Sequence, residues 1–276
     1  MLQHFSRPLD WSTILPITRT TGGAIIEGAL APEAVELLNK EINTYLAQEG
    51  KIEPASGSES YDSFLGFNTI RRHGLLEKFP SAEQVIHHPE LLPWVDEIMA
   101  PISGTTLLNA AELIEIRPGE PRQSAHRDSD SWPIPLTEDP FIVNIIYALD
   151  DFTLENGATW IAPHSWDWPK DRRAKTEDYE RAVMRAGDAI LFRGDLIHRG
   201  GANESGAPRR AISVSYCAGW LRPVENSFLN ISRETVQKQS SKMQQLLGFT
   251  AYDGEAQQSG LLGLYENGDP QRWLER

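Results

Sequence analysis

From about residue 105 the sequence consists of short apolar segments separated by turn residues, and this pattern constrains the fold more than any other feature. The segments are too short for ordinary helices and are rich in Val and Ile, as buried strands are. They run over residues 110–116, 141–149, 158–161, 189–192 and 211–218. Asn156-Gly157 predicts a tight turn between two of them. Short strands at this spacing predict an antiparallel sandwich or jelly roll.

The first third of the chain has helical periodicity instead. A helix is expected to begin at Pro32 and to end at Gly50, and Leu91 to Met99 favours a second one. Ser81 has the spacing of a capping box that opens a helix. Residues 51–70 are expected to form a loop that acts as a lid. Without a repeat or linker, we expect one domain over residues 1–276: a helical part to about 104, a jelly-roll core over about 105–225 and a tail from 226.

Charge and cysteine content exclude several classes of protein. The 276 residues include 26 basic and 39 acidic side chains, a net charge of −13, which argues against a nucleic-acid surface. No apolar stretch is long enough to span a membrane, and the N-terminal residues do not resemble a secretion signal. The one cysteine, Cys217, cannot form an internal disulfide and is interpreted as a buried strand residue. These features predict a cytoplasmic protein.

Three side chains form a candidate metal site. His126 and Asp128 are two residues apart, so on an extended segment both side chains point the same way. His198 follows a strand and a turn within the β-rich part, whereas the other histidines lie in helical or irregular segments. Two imidazoles and one carboxylate can form a facial triad, which leaves coordination positions open and suits non-haem Fe(II).

Two arginines open the last strand of the β-rich part. Arg209 and Arg210 should face opposite sides of the sheet, so one can reach a cavity and the other the outside. A buried guanidinium pairs well with a carboxylate because its planar fork binds both oxygens. The pattern does not decide which of the two is buried.

Several segments together resemble the phytanoyl-CoA dioxygenase family of Fe(II)- and 2-oxoglutarate-dependent oxygenases, most closely the fungal-type members that tailor secondary metabolites. The resemblance covers about residues 22–225. The segments that carry it are Thr69-Ile-Arg71, Arg117 to Asp128, Tyr147 to Thr159, Gly187 to Phe192, His198 to Asn203 and Arg209 to Ser213.

The resemblance implies a mainly β fold with flanking helices, built on a double-stranded β-helix of the cupin-like jelly-roll type. It implies Fe(II) on His126, Asp128 and His198, and 2-oxoglutarate held by Arg209 with help from Thr159 and Gln123, with O₂ as the oxidant. Arg210 is the second choice for the residue that binds the distal carboxylate of 2-oxoglutarate. One departure is that His164 follows Pro163, where relatives have a small residue.

The carboxylate of Asp128 bears on the reaction. Halogenating relatives replace it with a small residue, so its presence implies C–H oxidation by hydroxylation, desaturation or oxidative rearrangement. The alternatives are a non-oxidative metal-dependent jelly-roll isomerase or hydrolase, a silent binding module, and a hydroxylase of an acyl thioester. Arg209, Thr159 and Gln123 argue against the first, because these residues have no role without a dicarboxylate.

The sequence says least about the substrate. We expect a small, largely apolar metabolite, with Phe67, Arg71, Trp132 and His164 as candidate contacts. Neither its identity nor the role of residues 226–276 follows from the sequence. As in dimeric relatives, the tail could cover the site of its own chain or of a second subunit, so a homodimer is a candidate state.

Overall fold

The architecture is taken from a computed structural model, which describes residues 2–49, 56–252 and 261–275. Its strands are β1 (Gln3–Phe5), β2 (Gly23–Ile26), β3 (Thr69–Arg72), β4 (Thr106–Ile116), β5 (Ile142–Ala148), β6 (Trp160–Ile161), β7 (Glu180–Arg181), β8 (Ala189–Arg193), β9 (His198–Arg199) and β10 (Arg209–Ala218). Its α-helices are α1 (Trp11–Thr21), α2 (Pro32–Glu49), α3 (Glu59–Leu65), α4 (Leu75–Lys78), α5 (Glu83–Ile86), α6 (Leu92–Met99), α7 (Ser227–Asn230), α8 (Arg233–Gln237), α9 (Ser241–Leu246) and α10 (Gln271–Leu274).

Two sheets face each other. The large sheet has seven strands in the order β1-β2-β8-β5-β10-β4-β3, and the small sheet has the order β7-β6-β9. All pairings except β1 with β2 are antiparallel. The long central strands are apolar because both of their faces are buried, one by the small sheet and the other by helices.

The core has two parts on either side of the large sheet. One lies between the sheets and includes Ile25, Phe152, Ile161 and Ile190. The other lies between the large sheet and the helices, including the helices of the C-terminal tail. The layer between the large sheet and the helices is therefore structural, whereas the layer between the two sheets carries the cavity.

The turn expected at Asn156-Gly157 is present and positions the strand that follows it. Gly157 has φ +91°, and a Cβ atom there would lie 2.9 Å from the carbonyl oxygen of Gly201. Only glycine fits this close approach, which brings the segment before β6 against the segment after β9.

The helical part is more broken than the sequence pattern suggests. The helix from Pro32 is present to Glu49, but the one expected from Ser81 is a 3₁₀ turn followed by the four-residue α5. Ser81 does not cap it; its hydroxyl donates to Glu41 at 2.6 Å. Residues 59–65 of the expected loop form α3, and residues 51–55 lie outside the described residues.

Candidate metal and co-substrate site

His126, Asp128 and His198 converge between the two sheets. One donor atom from each lies within 4.8 Å of the other two. Nε2 of His126 is 3.4 Å from Oδ1 of Asp128, and Nε2 of His198 is 3.6 Å from Oδ2. A cation of ordinary size placed between these atoms would reach all three.

Backbone pairing brings the two histidines together. The amide of each donates to the carbonyl oxygen of the other, at 3.1 and 2.9 Å, so the segment before Asp128 extends the small sheet beside β9. Nδ1 of His126 lies 3.0 Å from the carbonyl oxygen of Ser124, and Nδ1 of His198 lies 3.0 Å from that of Leu196. A carbonyl oxygen can only accept, so both Nδ1 atoms carry a proton, and Nε2 is the nitrogen of each ring that faces Asp128.

The carboxylate of Asp128 is held by an amide from the large sheet. Nδ2 of Asn144, on β5, donates to Oδ2 of Asp128 at 2.8 Å. Burial alone would raise the pKa of Asp128, but the two histidines and Asn144 outweigh burial and lower it. Burial lowers the pKa of His198 to about 4, against the attraction of Asp128. At neutral pH the group is therefore one carboxylate and a neutral His198 imidazole.

Arg209 and Arg210 lie on opposite faces of the sheet, as the alternation predicts. Arg209 is 3% exposed and faces the cavity, where one guanidinium nitrogen donates to the carbonyl oxygen of Gly157 and Nε has no hydrogen-bond partner among the described residues. Burial and the charge of Arg71 lower the pKa of Arg209 to about 9. Arg210 instead pairs with the buried Glu115 at 2.6 Å on the helix side of the sheet. Of the two arginines, Arg209 is thus the one whose guanidinium lines the cavity.

Thr159 and Gln123 also line this cavity. Thr159 is buried beside β6. The side chain of Gln123 is already bonded to the backbone: its Nε2 donates to the carbonyl oxygen of Phe64 at 3.2 Å, and its Oε1 accepts from Gly200 at 3.1 Å. In this structure Gln123 therefore fixes the wall of the cavity and retains one free amide hydrogen.

One cavity of about 540 Å³ is lined by the three candidate metal ligands together with Arg209, Thr159 and Gln123. Within the described chain, Arg71 lines it, whereas Phe67, Trp132 and His164 do not. Phe67 is 57% exposed, and Trp132 packs on Phe141 and donates to the carbonyl oxygen of Arg222. His164 is an exposed residue at the start of a 3₁₀ turn, with φ +61°.

Sequence reasoning missed several residues beside the metal site, and two of them show why. Asn144 supports Asp128, and Phe64 of α3 packs edge-on to the ring of His126 with ring centroids 4.8 Å apart. Asn144 was detectable, because it is a polar residue in an otherwise apolar buried strand. Phe64 was not, because nothing local shows that α3 folds over the cavity.

The family model described as phytanoyl-CoA dioxygenase (PhyH) matches residues 18–211. This span contains every residue of the site described above. The chain belongs to the phytanoyl-CoA dioxygenase family. It is accordingly an Fe(II)- and 2-oxoglutarate-dependent dioxygenase, as the motif resemblance implied.

Fungal relatives match over most of their length. The chain is 31% identical to dioxygenase olcK of Penicillium canescens, covering 90% of this chain and 83% of that protein. It is 34% identical to dioxygenase aneA of Aspergillus aculeatus, covering 85% and 81%. It is 30% identical to the iron/alpha-ketoglutarate-dependent dioxygenase penM of Penicillium thymicola, covering 90% and 81%.

Solved structures confirm the fold. The epimerase SnoN from nogalamycin biosynthesis has a TM-score of 0.61 at 18% identity, covering 75% of this chain and 82% of that one. The carbocyclase SnoK has a TM-score of 0.61 at 18% identity, covering 80% and 90%. The expectation of a jelly-roll core with flanking helices is confirmed. In the described part of the chain, no helix is both long and apolar enough to cross a bilayer.

Proposed function

We propose that this dioxygenase oxidises a C–H bond of a small metabolite at Fe(II) held by His126, Asp128 and His198. One observation supports this most. A single cavity contains three convergent ligand atoms and, among the described residues, a buried Arg209 that forms no ion pair with a carboxylate. An unpaired buried guanidinium is costly, and the distal carboxylate of 2-oxoglutarate would remove that cost.

The donor set fits ferrous iron. Two imidazole nitrogens and one carboxylate provide three ligands and leave positions for a chelating co-substrate and O₂. Bound iron with 2-oxoglutarate and O₂ supplies the oxidising power for C–H cleavage, with succinate and CO₂ as co-products. Zinc sites of structural type are closed by four protein ligands, which the described residues around this site do not provide.

The protein's own residues orient these groups. The carbonyl oxygens of Ser124 and Leu196 fix the tautomer of both imidazoles, and Asn144 fixes the rotation of the Asp128 carboxylate. Thr159 would join Arg209 in binding the co-substrate carboxylate, and the free amide hydrogen of Gln123 is placed to assist. Phe64 and Phe192 pack edge-on against the rings of His126 and His198, respectively.

The oxidation is proposed to serve secondary metabolism, with hydroxylation, desaturation or rearrangement as the outcome. The support is the motif resemblance to tailoring enzymes, together with the carboxylate of Asp128, which leaves no ligand position for a halide. Arg71 is the one candidate substrate contact that lines the cavity.

Three further properties belong to the proposal: one domain over the whole chain, a cytoplasmic location and a homodimer. The first is supported by residues of the tail, among them Val236, Leu246 and Leu274, that share the core between the sheet and the N-terminal helices. The second is supported by Cys217, which is buried and whose pKa burial raises to about 12, so it is a protonated, unpaired thiol.

The deciding experiment is anaerobic visible spectroscopy. Purified protein is mixed with Fe(II) and then with 2-oxoglutarate, and the weak metal-to-ligand absorption band of the chelate is followed. A band that saturates with 2-oxoglutarate is expected. A folded protein that gives no band at saturating concentrations would contradict the oxygenase proposal and leave the non-oxidative alternatives.

A further inference from the structure

One edge of the cavity carries charged side chains that have no role in the proposed metal and co-substrate sites. Arg71, His73 and Glu112 line the cavity beside the pairing of β3 with β4. Nη1 of Arg71 donates to Oε2 of Glu112 at 2.6 Å. Nε2 of His73 lies 3.5 Å from Oε1 of Glu112, a distance longer than an ordinary hydrogen bond. In the described part of the chain, Arg71 therefore engages one oxygen of Glu112, and the other can accept a hydrogen bond from a ligand.

The strand register places Glu112 on the same face of the large sheet as the metal site. In β10, Ser215 lies opposite Asn144 of β5, and Ser213 lies opposite Glu112 of β4. Directly opposite residues, and residues two apart in one strand, point to the same face of a sheet. Asn144 donates to the carboxylate of Asp128, so this is the face that the metal ligands meet. The side chain of Glu112 therefore points into the space that contains the metal site.

Glu112 is separated from the metal ligands by about the length of a small metabolite. Strand β4 lies two strands from β5 in the large sheet. Since adjacent strands are about 4.8 Å apart and residues in a strand about 3.4 Å, the backbones of Glu112 and Asn144 are on the order of 10 Å apart. Apolar side chains, among them Phe64, Ile114 and Ile146, line the same cavity. A ligand that extends from Glu112 to the metal site thus needs an apolar body.

The charges around Glu112 favour a neutral ligand group over a cation. Burial alone would lower the pKa of His73, but Glu225 and Glu112 outweigh burial and raise it. Burial and the charge of Arg71 lower the pKa of Arg209, which lines the same cavity. An ammonium group at Glu112 would be repelled by these positive charges. A hydroxyl group is neutral and can both donate to Glu112 and accept from His73.

We propose that Glu112 accepts a hydrogen bond from a hydroxyl group of the substrate and thereby directs the apolar body of the substrate toward the metal ligands. This inference rests on the proposed function and narrows its substrate class to apolar metabolites that carry a hydroxyl group. The C–H bond that is oxidised then lies at the opposite end of the substrate from that hydroxyl.

The test compares ligands of matched size that differ in the polar group. Octan-1-ol, its isomer 1-methoxyheptane and octylamine are titrated calorimetrically into anaerobic protein loaded with Fe(II) and 2-oxoglutarate. Octan-1-ol should bind about tenfold tighter than 1-methoxyheptane, because an ether oxygen cannot donate to a carboxylate. Octylamine, which is protonated at neutral pH, should bind no tighter than octan-1-ol.

Variants assign the preference for the alcohol to Glu112. Glu112→Met keeps the length of the side chain but removes the strong acceptor, so both isomers should bind equally. Glu112→Gln keeps a neutral acceptor, so a preference of about threefold should remain. A role confined to the ion pair with Arg71 would change the affinity for both isomers alike and leave their ratio intact. Glu90→Met, at an exposed glutamate that pairs with Arg7 at 3.1 Å, is the matched control and should bind as the wild type does.

Three results would overturn the inference: the wild type binds both isomers equally, octylamine binds tighter than octan-1-ol, or either Glu112 variant keeps the full preference. The visible band of the Fe(II) and 2-oxoglutarate complex is recorded on the same samples. Absence of that band in the wild type would count against the proposed function, whereas an intact band without a preference for the alcohol would count against the role of Glu112 alone.

Discussion

At the scale of single residues, the two imidazoles of the site are prepared for a metal before one arrives. Each Nδ1 proton is engaged by a backbone carbonyl oxygen two residues earlier in the chain, at 3.0 Å in both cases. Because burial holds the pKa of His198 near 4, that ring is neutral at physiological pH and needs no proton loss to bind a cation. Folding itself therefore orients the two rings, before any metal binds.

The first prediction concerns His126. His126→Ala removes one of the three proposed ligands, so succinate formation from 2-oxoglutarate should fall to the background rate and the visible band of the anaerobic complex should disappear. His4→Ala, at an exposed histidine paired with Glu27, is the control and should retain both signals. If the His126 variant still turned over 2-oxoglutarate, this residue would have to be removed from the metal site.

The second prediction separates the two adjacent arginines. Arg209→Gln should weaken 2-oxoglutarate binding by about 100-fold, since hydrogen bonds to charged groups contribute about 1.5–3 kcal/mol. Its free energy of unfolding should not fall, because the substitution removes a buried charge that forms no ion pair within the described chain. The measurement is a titration of the visible band with 2-oxoglutarate.

Arg210→Gln is the complementary variant. It removes the shorter of the two ion pairs of the buried Glu115 and leaves the one with Arg117 at 3.1 Å, so the free energy of unfolding should fall by about 1.5–3 kcal/mol. Affinity for 2-oxoglutarate should be retained at temperatures where the variant is folded. The reverse pattern, with Arg210 controlling affinity, would exchange the roles assigned to the two residues.

At the scale of elements, a histidine fixes the start of α6. Nε2 of His88 donates to the carbonyl oxygen of Ala29 at 2.9 Å, and Nδ1 accepts from the amides of Glu90 and Leu91 at 3.2 Å each. Protonation of Nδ1 would remove that acceptor. Burial accordingly lowers the pKa of His88 below its ordinary value.

The third prediction is the pH dependence that follows. Since the pKa of His88 is lower in the folded chain than in the unfolded one, its contribution to stability is complete above about pH 6.5 and is lost as the pH falls through the folded pKa. His88→Asn keeps an acceptor for the amide of Leu91 but cannot titrate. Its Tm should therefore fall less between pH 7.5 and 5.5 than that of the wild type. Equal falls in the two proteins would refute this role.

The strands of the jelly roll are predictable from the sequence, whereas the elements that cover it are less so. Strands β4, β5, β8 and β10 were expected within a few residues, because β5 and β8 are largely apolar and buried on both faces, and β4 and β10 carry apolar residues at short intervals. Helix α1 contains Pro16, and β3 contains two arginines, so neither has a strong local pattern. Both depend on tertiary contacts: β3 on its pairing with β4, and α1 on its packing against β2.

The residues of the candidate site also fall into a group that the sequence predicts and a group that it does not. The metal ligands and Arg209 are visible in the sequence, because their chemistry and strand alternation restrict the choice. The substrate contacts are not, because lining a cavity depends on how loops fold back. Trp132 illustrates this: its ring packs on Phe141 outside the cavity, whereas the less conspicuous Phe64 contacts His126.

At the scale of the whole molecule, the net charge of the chain is negative, whereas the arginine in the cavity is positively charged. A net charge of −13 gives no attraction for an anionic co-substrate from a distance. Binding of 2-oxoglutarate must therefore depend on local positive charge, and the buried Arg209 supplies it within the cavity. Because Arg209 is buried, added salt should lower the affinity for 2-oxoglutarate only slightly.

The final prediction tests whether the tail and the jelly roll form one cooperative unit. Leu246 on α9 is fully buried in the core shared by the large sheet and the helices, and α9 packs on β4. Leu246→Ala should lower the free energy of unfolding by about 2–5 kcal/mol. Because the core is shared, the change should move one single unfolding transition, followed in denaturant both by far-UV circular dichroism and by loss of the Fe(II) and 2-oxoglutarate band. Leu229→Ala, at a residue 82% exposed, is the matched control and should leave the transition in place. Two separate transitions, with only one shifted by Leu246→Ala, would show that the tail folds independently of the site.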